Sequence, residues 1–110
     1  MLEGTSLMVA VAETSEQHAR GLMGVEDLGE LDGMLFIFLP PRSVSFWMKD
    51  TVIPLDAGYF DATGKLFQIV EMVPCETEEC PSFGSSREVR WALEVPAGSL
   101  PELREGALLS

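Results

Sequence analysis

The longest uninterrupted apolar segment of the chain covers residues 34–39, MLFIFL, and it lies between Gly33 and the pair Pro40-Pro41. A run of this length suits a β-strand, and it is far shorter than the roughly 18–20 residues that a membrane-spanning helix needs. Because successive side chains of a strand point to opposite faces, an all-apolar strand is expected to be covered on both faces. We therefore predict a central strand that the two prolines stop, and no insertion into a membrane.

Most of the remaining sequence alternates apolar and polar residues with a period of two, which is typical of β-strands. Further strands are predicted at residues 6–12, 43–49, 59–60, 65–72, 89–95 and 106–109. Residues 61–64, Asp-Ala-Thr-Gly, are typical of a hairpin turn, whereas residues 75–86 are expected to form a long loop. In the strand at 89–95, Arg90, Ala92 and Glu94 alternate with larger apolar residues, so we expect only one of its faces to be buried.

Two short helices are predicted from capping signals. Thr14 and Gln17 have the spacing of a capping box, which predicts a helix through about Leu22, and Ser99 is a suitable cap for a second helix through about Arg104. Helices and strands do not alternate regularly, which disfavours a doubly wound parallel sheet. The 110 residues are therefore expected to form one compact domain (1–110) of the mostly β (α+β) class, barrel-like, with about seven strands and two short helices.

The charge balance excludes several classes of partner. Eighteen acidic residues against seven basic ones give a net charge of −11. A surface with this charge repels phosphate backbones and anionic lipid headgroups, so neither nucleic-acid binding nor association with a membrane is expected. The acidity is explained either by solubility or by attraction of a cationic ligand or metal.

Cys75 and Cys80 enclose an acidic tetrapeptide and are predicted to form a disulfide. Two thiols and one distant histidine, His18, fall short of the four ligands of a structural zinc site, so no metal is expected. A disulfide implies an oxidising compartment, yet the first residues lack a signal-peptide pattern. We expect an exported domain if the two cysteines are bonded, and a cytoplasmic protein if Met1 is the native start.

The strongest functional signal is the polar triplet Lys49-Asp50-Thr51, which directly follows Phe46-Trp47-Met48. An aromatic residue beside amide, hydroxyl and charged groups is typical of a pocket for a small polar molecule or a carbohydrate. The alternative is that Trp47 packs in the core while the triplet forms a hydrogen-bonded turn. We predict ligand contacts from Trp47, Lys49, Asp50, Thr51 and Asp56, with Arg20 and Ser85 nearby.

Asp56 precedes a strand rich in apolar residues, and Arg20 is the predicted partner for its carboxylate, either for stability alone or at the edge of the pocket. These interpretations favour a non-catalytic, monomeric binding domain for a small polar ligand or a partner protein, with no cofactor. One alternative is a small enzyme in which Lys49 acts with Asp50 or Asp56. Another is a purely structural domain of an envelope assembly.

Several segments resemble, in order and spacing, the DUF192 (UPF0127) family. They are residues 20–23 (RGLM), 33–36 (GMLF), 46–51 (FWMKDT), 53–56 (IPLD) and 93–98 (LEVPAG), with a weaker match at Pro74-Cys75 and Cys80-Pro81. The resemblance covers roughly residues 5–106 and implies a compact, barrel-like, mostly β fold, often preceded by an export leader. Members usually carry asparagine at the position of Asp50 and tyrosine at that of Phe83, so an amide donor and a hydroxyl are missing here.

Overall fold

The computed structural model describes residues 2, 6–75, 77, 79–99 and 108–109. Its elements, in chain order, are β1 (Val9–Ala12), α1 (Ser15–Arg20), β2 (Gly33–Arg42), β3 (Ser45–Trp47), β4 (Leu55–Phe60), β5 (Leu66–Met72), β6 (Ser82–Gly84) and β7 (Val89–Pro96). The predicted mostly β class is therefore confirmed. The predicted second helix lies almost entirely outside the described residues; of the predicted last strand, Leu108 and Leu109 form isolated bridges to Lys65 and Leu2.

Five strands form one sheet in the order β1-β2-β7-β4-β5, and β3 pairs with β6 in a separate two-stranded ribbon. The pairing is antiparallel except between β1 and β2, which are parallel and are joined through α1. In the described residues β1 and β5 do not pair with each other, so the barrel-like sheet is not closed. Strand β7 thus occupies the middle of the sheet.

Helix α1 forms where the sequence predicts a helix. The Thr14 hydroxyl accepts a hydrogen bond from the Gln17 backbone N–H, and the Gln17 side chain accepts from the Thr14 N–H, which completes a capping box. The helix ends at Arg20, earlier than the predicted Leu22, because Gly21 takes a positive φ of 47°. Leu22 itself is buried among Met48, Leu55, Ala57 and Met72.

Two strand predictions need correction. Pro40 and Pro41 do not end β2, which continues to Arg42, but the register of its pairing with β7 shifts between Ile37 and Arg42. Proline has no backbone N–H to donate, and it is therefore tolerated in a strand where the hydrogen bonding to the neighbouring strand is interrupted. In addition, the predicted loop at residues 75–86 contains strand β6, whose three residues pair with β3.

The hairpin between β4 and β5 matches its prediction. Asp61 begins the turn, and its carboxylate accepts hydrogen bonds from the Thr63 N–H, the Thr63 hydroxyl and the Lys65 N–H at 2.5 to 3.1 Å. The hydrogen bond from the Thr63 hydroxyl is the largest of the effects that lower the pKa of Asp61. Gly64, at φ 86°, supplies the left-handed conformation that the turn needs.

The core occupies both faces of the sheet, so the prediction that β7 buries only one face is wrong. On one face Leu93 and Val95 pack with Leu2, Phe60 and Leu66. On the other, Ala92 packs with Phe36 and Tyr59 beneath α1 and β3. Glu94 lies on this second face and is only 5% exposed. A carboxyl group has therefore been placed inside the protein.

Candidate functional site

A pocket of about 120 Å³ lies between the main sheet and the layer formed by α1 and β3. Its polar lining comes from His18, Arg20, Ser45, Thr51 and Glu94, and its apolar lining includes Leu22, Phe36, Phe46, Trp47 and Met48. Because Glu94 is its most buried charged residue, we call this cavity the Glu94 pocket. It is smaller than the roughly 300–1,000 Å³ typical of sites for drug-sized ligands, so it suits a small molecule or one end of a larger one.

The position of Glu94 follows from the pairing of β7. Glu94 lies between Met34 of β2 and Ala57 of β4, so neighbouring strands hold its backbone on both sides. Burial raises the pKa of the Glu94 carboxyl to about 7. Within the described part of the chain its side chain forms no ion pair, and the fully enclosed polar atom that lacks a partner belongs to Arg90, so the Glu94 oxygens face the open space of the cavity. A buried carboxyl without a donor is energetically unfavourable, which marks Glu94 as a candidate functional group.

Sequence reasoning missed Glu94 as a site residue. The alternation of β7 predicts that its side chain faces solvent, and only the layer of α1 and β3 makes this face an interior one. The sequence contained one indication that this position matters, because Leu93-Glu94-Val95 belongs to a segment that carries the DUF192 resemblance. An acidic residue between two apolar neighbours, Leu93 and Val95, is costly to bury in a strand, and it therefore calls for a functional or pairing explanation.

Three aromatic rings contribute to the wall of the Glu94 pocket: those of Phe36, Phe46 and Trp47. The Phe36 and Phe46 ring centroids are 4.8 Å apart, with the rings tilted at 48°. Trp47 is 51% exposed and lies at the end of β3. Trp47 therefore forms part of the wall and mouth of the pocket and does not pack in the core.

Below these rings, Tyr59 connects the sheet to the ribbon. Its hydroxyl donates a hydrogen bond of 2.5 Å to the backbone carbonyl of Phe83 in β6. Burial, and secondarily the negative charge of Glu94, raise the pKa of Tyr59 well above its ordinary value. Tyr59 is therefore neutral, and its hydroxyl holds β6 in place by donating to the backbone carbonyl of Phe83.

Arg20 and Thr51 are brought to the Glu94 pocket from different elements. Arg20 is the last residue of α1 and is exposed at the mouth, whereas Thr51 is 5% exposed and its N–H donates to the Met48 carbonyl at 3.1 Å. Asp50 has a left-handed backbone conformation, at φ 61°, within the turn that the hydrogen bond between Thr51 and Met48 closes. The Asp50 carbonyl accepts a hydrogen bond from the Gly24 N–H at 2.8 Å. Together with Trp47, three of the seven predicted contact residues thus line one cavity.

The other four, Lys49, Asp50, Asp56 and Ser85, do not line this pocket. The Lys49 ammonium donates to the Thr77 carbonyl at 3.0 Å, and the Ser85 hydroxyl accepts from the Val44 N–H at 2.9 Å. The predicted Arg20–Asp56 ion pair is not formed. Instead, the Asp56 carboxylate accepts from the Gly98 N–H at 3.0 Å, and the loop after β7 provides its partner.

His18 contributes its ring to the pocket lining, but its nitrogens have partners within the protein. Nε2 lies 3.1 Å and 2.9 Å from the carbonyl oxygens of Ala12 and Ile37, so it carries the proton and donates. Nδ1 lies 3.2 Å from Nη2 of Arg42 and accepts from that guanidinium. The histidine therefore joins α1 to β1 and β2, and Glu94 remains the pocket's buried titratable group.

Cys75 and Cys80 are joined by the predicted disulfide, with their sulfurs at 2.09 Å. Cys75 also forms a bridge with Lys49, which connects this loop to the segment that follows β3. No three His, Cys, Asp or Glu side chains of the described residues are grouped as metal ligands would be. Over the same residues, no helix has both the length and the apolar character needed to traverse a bilayer.

Comparison with known proteins gives matches over nearly the whole chain. The family model DUF192, described as "Uncharacterized ACR", matches residues 2–109. A protein of unknown function from Novosphingobium aromaticivorans DSM 12444 has a similar crystal structure, with 30% identity, a TM-score of 0.79, and coverage of 89% of this chain and 70% of that one. A proposed transcription regulator from Sinorhizobium meliloti 1021 is also 30% identical, with a TM-score of 0.80 and coverage of 94% of this chain and 88% of that one. Among curated proteins, none matches.

Proposed function

The chain belongs to the DUF192 family, whose description assigns no activity, and we propose that its domain is a non-catalytic module that binds a small polar ligand in the Glu94 pocket. The single observation that carries this proposal is the buried Glu94 carboxyl, which lines a cavity and has no donor among the described residues. A ligand that supplies a donor would satisfy it. Thr51 adds a hydroxyl, and Trp47 adds an aromatic surface at the mouth.

The arrangement supports recognition better than it supports catalysis by Lys49. The enzyme alternative requires Lys49 to act with Asp50 or Asp56 at a substrate, yet none of the three lines the Glu94 pocket. The Lys49 ammonium is already donating to a backbone carbonyl, and Asp56 accepts from the loop after β7. Nucleic acid remains a poor candidate ligand, because the chain carries a net charge of −11.

The disulfide supports a location outside the reducing cytoplasm. Bonds of this kind persist in oxidising compartments and are rare where thiols are kept reduced. We therefore favour an exported domain over a cytoplasmic one. Measuring the Cys75–Cys80 redox state in protein taken from cells, after trapping free thiols, tests this point: a fully reduced pair would argue for the cytoplasm.

The binding proposal is tested by NMR titration with a panel of monosaccharides, polyols and small metabolites. Trp47 and Trp91 are the only two tryptophans, and Trp91 packs on the opposite face of the sheet, in the cluster with Phe60 and Leu93. A ligand of the Glu94 pocket should shift the Trp47 indole and the Thr51 amide signals while leaving the Trp91 indole unchanged.

Two variants complete the experiment. Trp47→Ala should weaken binding, because it removes the aromatic surface from the mouth of the pocket. Val52→Ala shortens another exposed apolar residue close in sequence and should leave binding unchanged. If no compound shifts Trp47 and Thr51, or if every compound shifts Trp91 equally, the domain does not bind ligands at this pocket.

A further inference from the structure

We propose that the group received by the Glu94 pocket is an organic ammonium ion, with the Glu94 carboxylate as its counter-ion. This inference rests on the proposed function and specifies the chemical class of the ligand. It is carried by the combination of an unpartnered carboxyl, several aromatic rings and a small cavity volume at one place in the fold.

The first argument concerns the carboxyl group. An ionised carboxylate on a residue that is only 5% exposed is stabilised by a cation or by several donors. Among the described residues Glu94 forms no ion pair, and its oxygens face the cavity, where a ligand can reach them. Arg20 lines the same pocket, but its side chain is exposed and does not pair with Glu94. A ligand ammonium would supply both a positive charge and N–H or polarised C–H groups, so it would complete the site in one step.

The second argument concerns the wall. Phe36, Phe46 and Trp47 line the cavity that Glu94 lines. Aromatic faces attract cations through their quadrupole, and several rings around one position are a common means of binding ammonium groups. A carboxylate with aromatic rings favours an ammonium over a neutral group of the same shape, because the carboxylate charge and the ring quadrupoles both attract the cation more strongly.

The third argument concerns size and the wider electrostatic field. A volume of about 120 Å³ accommodates a small headgroup and leaves the rest of a larger ligand at the mouth. The net charge of −11 attracts cations toward the protein. Arg20 at the mouth opposes a second positive charge, so the ligand is expected to carry one ammonium with a neutral or anionic remainder.

Binding is then coupled to the protonation of Glu94. The charged or titratable groups around it are Arg20 and His18 from the α1 side and Tyr59 from the sheet. Because burial raises the pKa of Glu94 to about 7, the carboxylate form is depleted below neutrality. Ammonium affinity should therefore fall by up to about tenfold for each pH unit below 7, since an ammonium requires the ionised form.

The experiment compares cations with neutral molecules of matched shape. Ethanolamine is paired with propan-1-ol, and choline with 3,3-dimethylbutan-1-ol, each titrated at pH 8 and pH 5.5 while the Trp47 indole and Thr51 amide signals are followed. We expect at least one cation to bind at pH 8 at least about tenfold more tightly than its neutral partner. This preference should be lost in Glu94→Gln and should decrease in the unaltered protein at pH 5.5.

The outcomes separate this inference from the function on which it rests. Equal binding of cation and neutral analogue, or a preference that survives both Glu94→Gln and low pH, overturns the ammonium assignment. If neither cation binds at pH 8 but a sugar or polyol shifts Trp47 and Thr51, the domain is still a binding module and its ligand is not an ammonium. Because the pH series uses the unaltered protein, the result does not depend on whether Glu94→Gln folds.

Discussion

Replacing Glu94 with glutamine tests the buried carboxyl directly, because glutamine keeps the shape of the side chain and cannot ionise. Burial raises the Glu94 pKa from 4.5 to about 7. The folded protein therefore holds this proton across a pH range in which the unfolded chain has released it. A pKa raised on folding contributes stability that is present below pH 4.5 and is lost as the pH rises through 7.

The size of the effect follows from the same two values. Each pKa unit corresponds to 1.36 kcal/mol, so raising the Glu94 pKa from 4.5 to about 7 removes about 3 kcal/mol of stability between these pH values. The group is almost fully buried, so solvent screening does not reduce this figure greatly. For a domain whose total stability is on the order of 5–15 kcal/mol, the change is large.

The measurement is urea denaturation of the parent protein and of Glu94→Gln at several pH values from 4.5 to 8. The difference in the free energy of unfolding between them should change by about 3 kcal/mol in favour of the variant as the pH rises. All other carboxyls are common to both proteins and cancel. Glu88→Gln, which removes an exposed carboxyl just before β7, is the matched control for the loss of one carboxyl from the same strand region.

Refutation would come from a pH-independent difference for Glu94→Gln. That result would mean that the Glu94 carboxyl is already paired or hydrated in the folded protein. The binding proposal would then lose the unfavourable group that a ligand is supposed to satisfy. A constant offset between the two proteins at all pH values does not affect the test, because it reports only the packing of the amide.

Other substitutions test the packing of β2, the turn at Asp61 and the disulfide. Gly33→Ala should destabilise the domain by about 1–3 kcal/mol, because its Cβ would clash with the Glu94 carbonyl oxygen. Gly84→Ala, whose Cβ would meet the oxygens of Ser45 and Val44 at 4.0 Å, should cost little; both variants are measured by urea denaturation. Asp61→Ala removes the acceptor of three turn hydrogen bonds and should lower the free energy of unfolding by about 1–2 kcal/mol, measured by urea denaturation; an unchanged midpoint would contradict this. Converting both Cys75 and Cys80 to serine should cost about 2 kcal/mol, and a reducing agent should then affect the stability of the parent only.

The parts of the fold that sequence reasoning captured are local ones. The capping box of Thr14 and Gln17 and the turn that begins at Asp61 depend on hydrogen bonds between residues within four positions of each other. Such signals lie in the sequence itself, since they need only the right side chains at the right spacing. The mostly β class followed from the period of two in the sequence, and the DUF192 resemblance, which extends over most of the chain, implied the same class.

The parts that it missed depend on contacts between distant segments. Glu94 was expected to face solvent because alternation describes one strand and contains no information on what covers it. Strand β6 has only three residues in a segment rich in turn-forming types, and it exists because β3 is available for pairing. Arg20 and Asp56 have opposite charges, but Asp56 finds a backbone donor, that of Gly98, instead.

The main sheet and the two-stranded ribbon contribute different residues to the Glu94 pocket, and this separation determines which substitutions change its entrance. The carboxyl of Glu94 is carried by the most enclosed strand, whereas Trp47 stands on a short ribbon that the Tyr59 hydroxyl ties to that sheet. Substitutions in the ribbon could reshape the entrance without repacking the interior. Under the binding proposal, a change at Trp47 would therefore alter which ligands enter while the Glu94 carboxyl stays where it is.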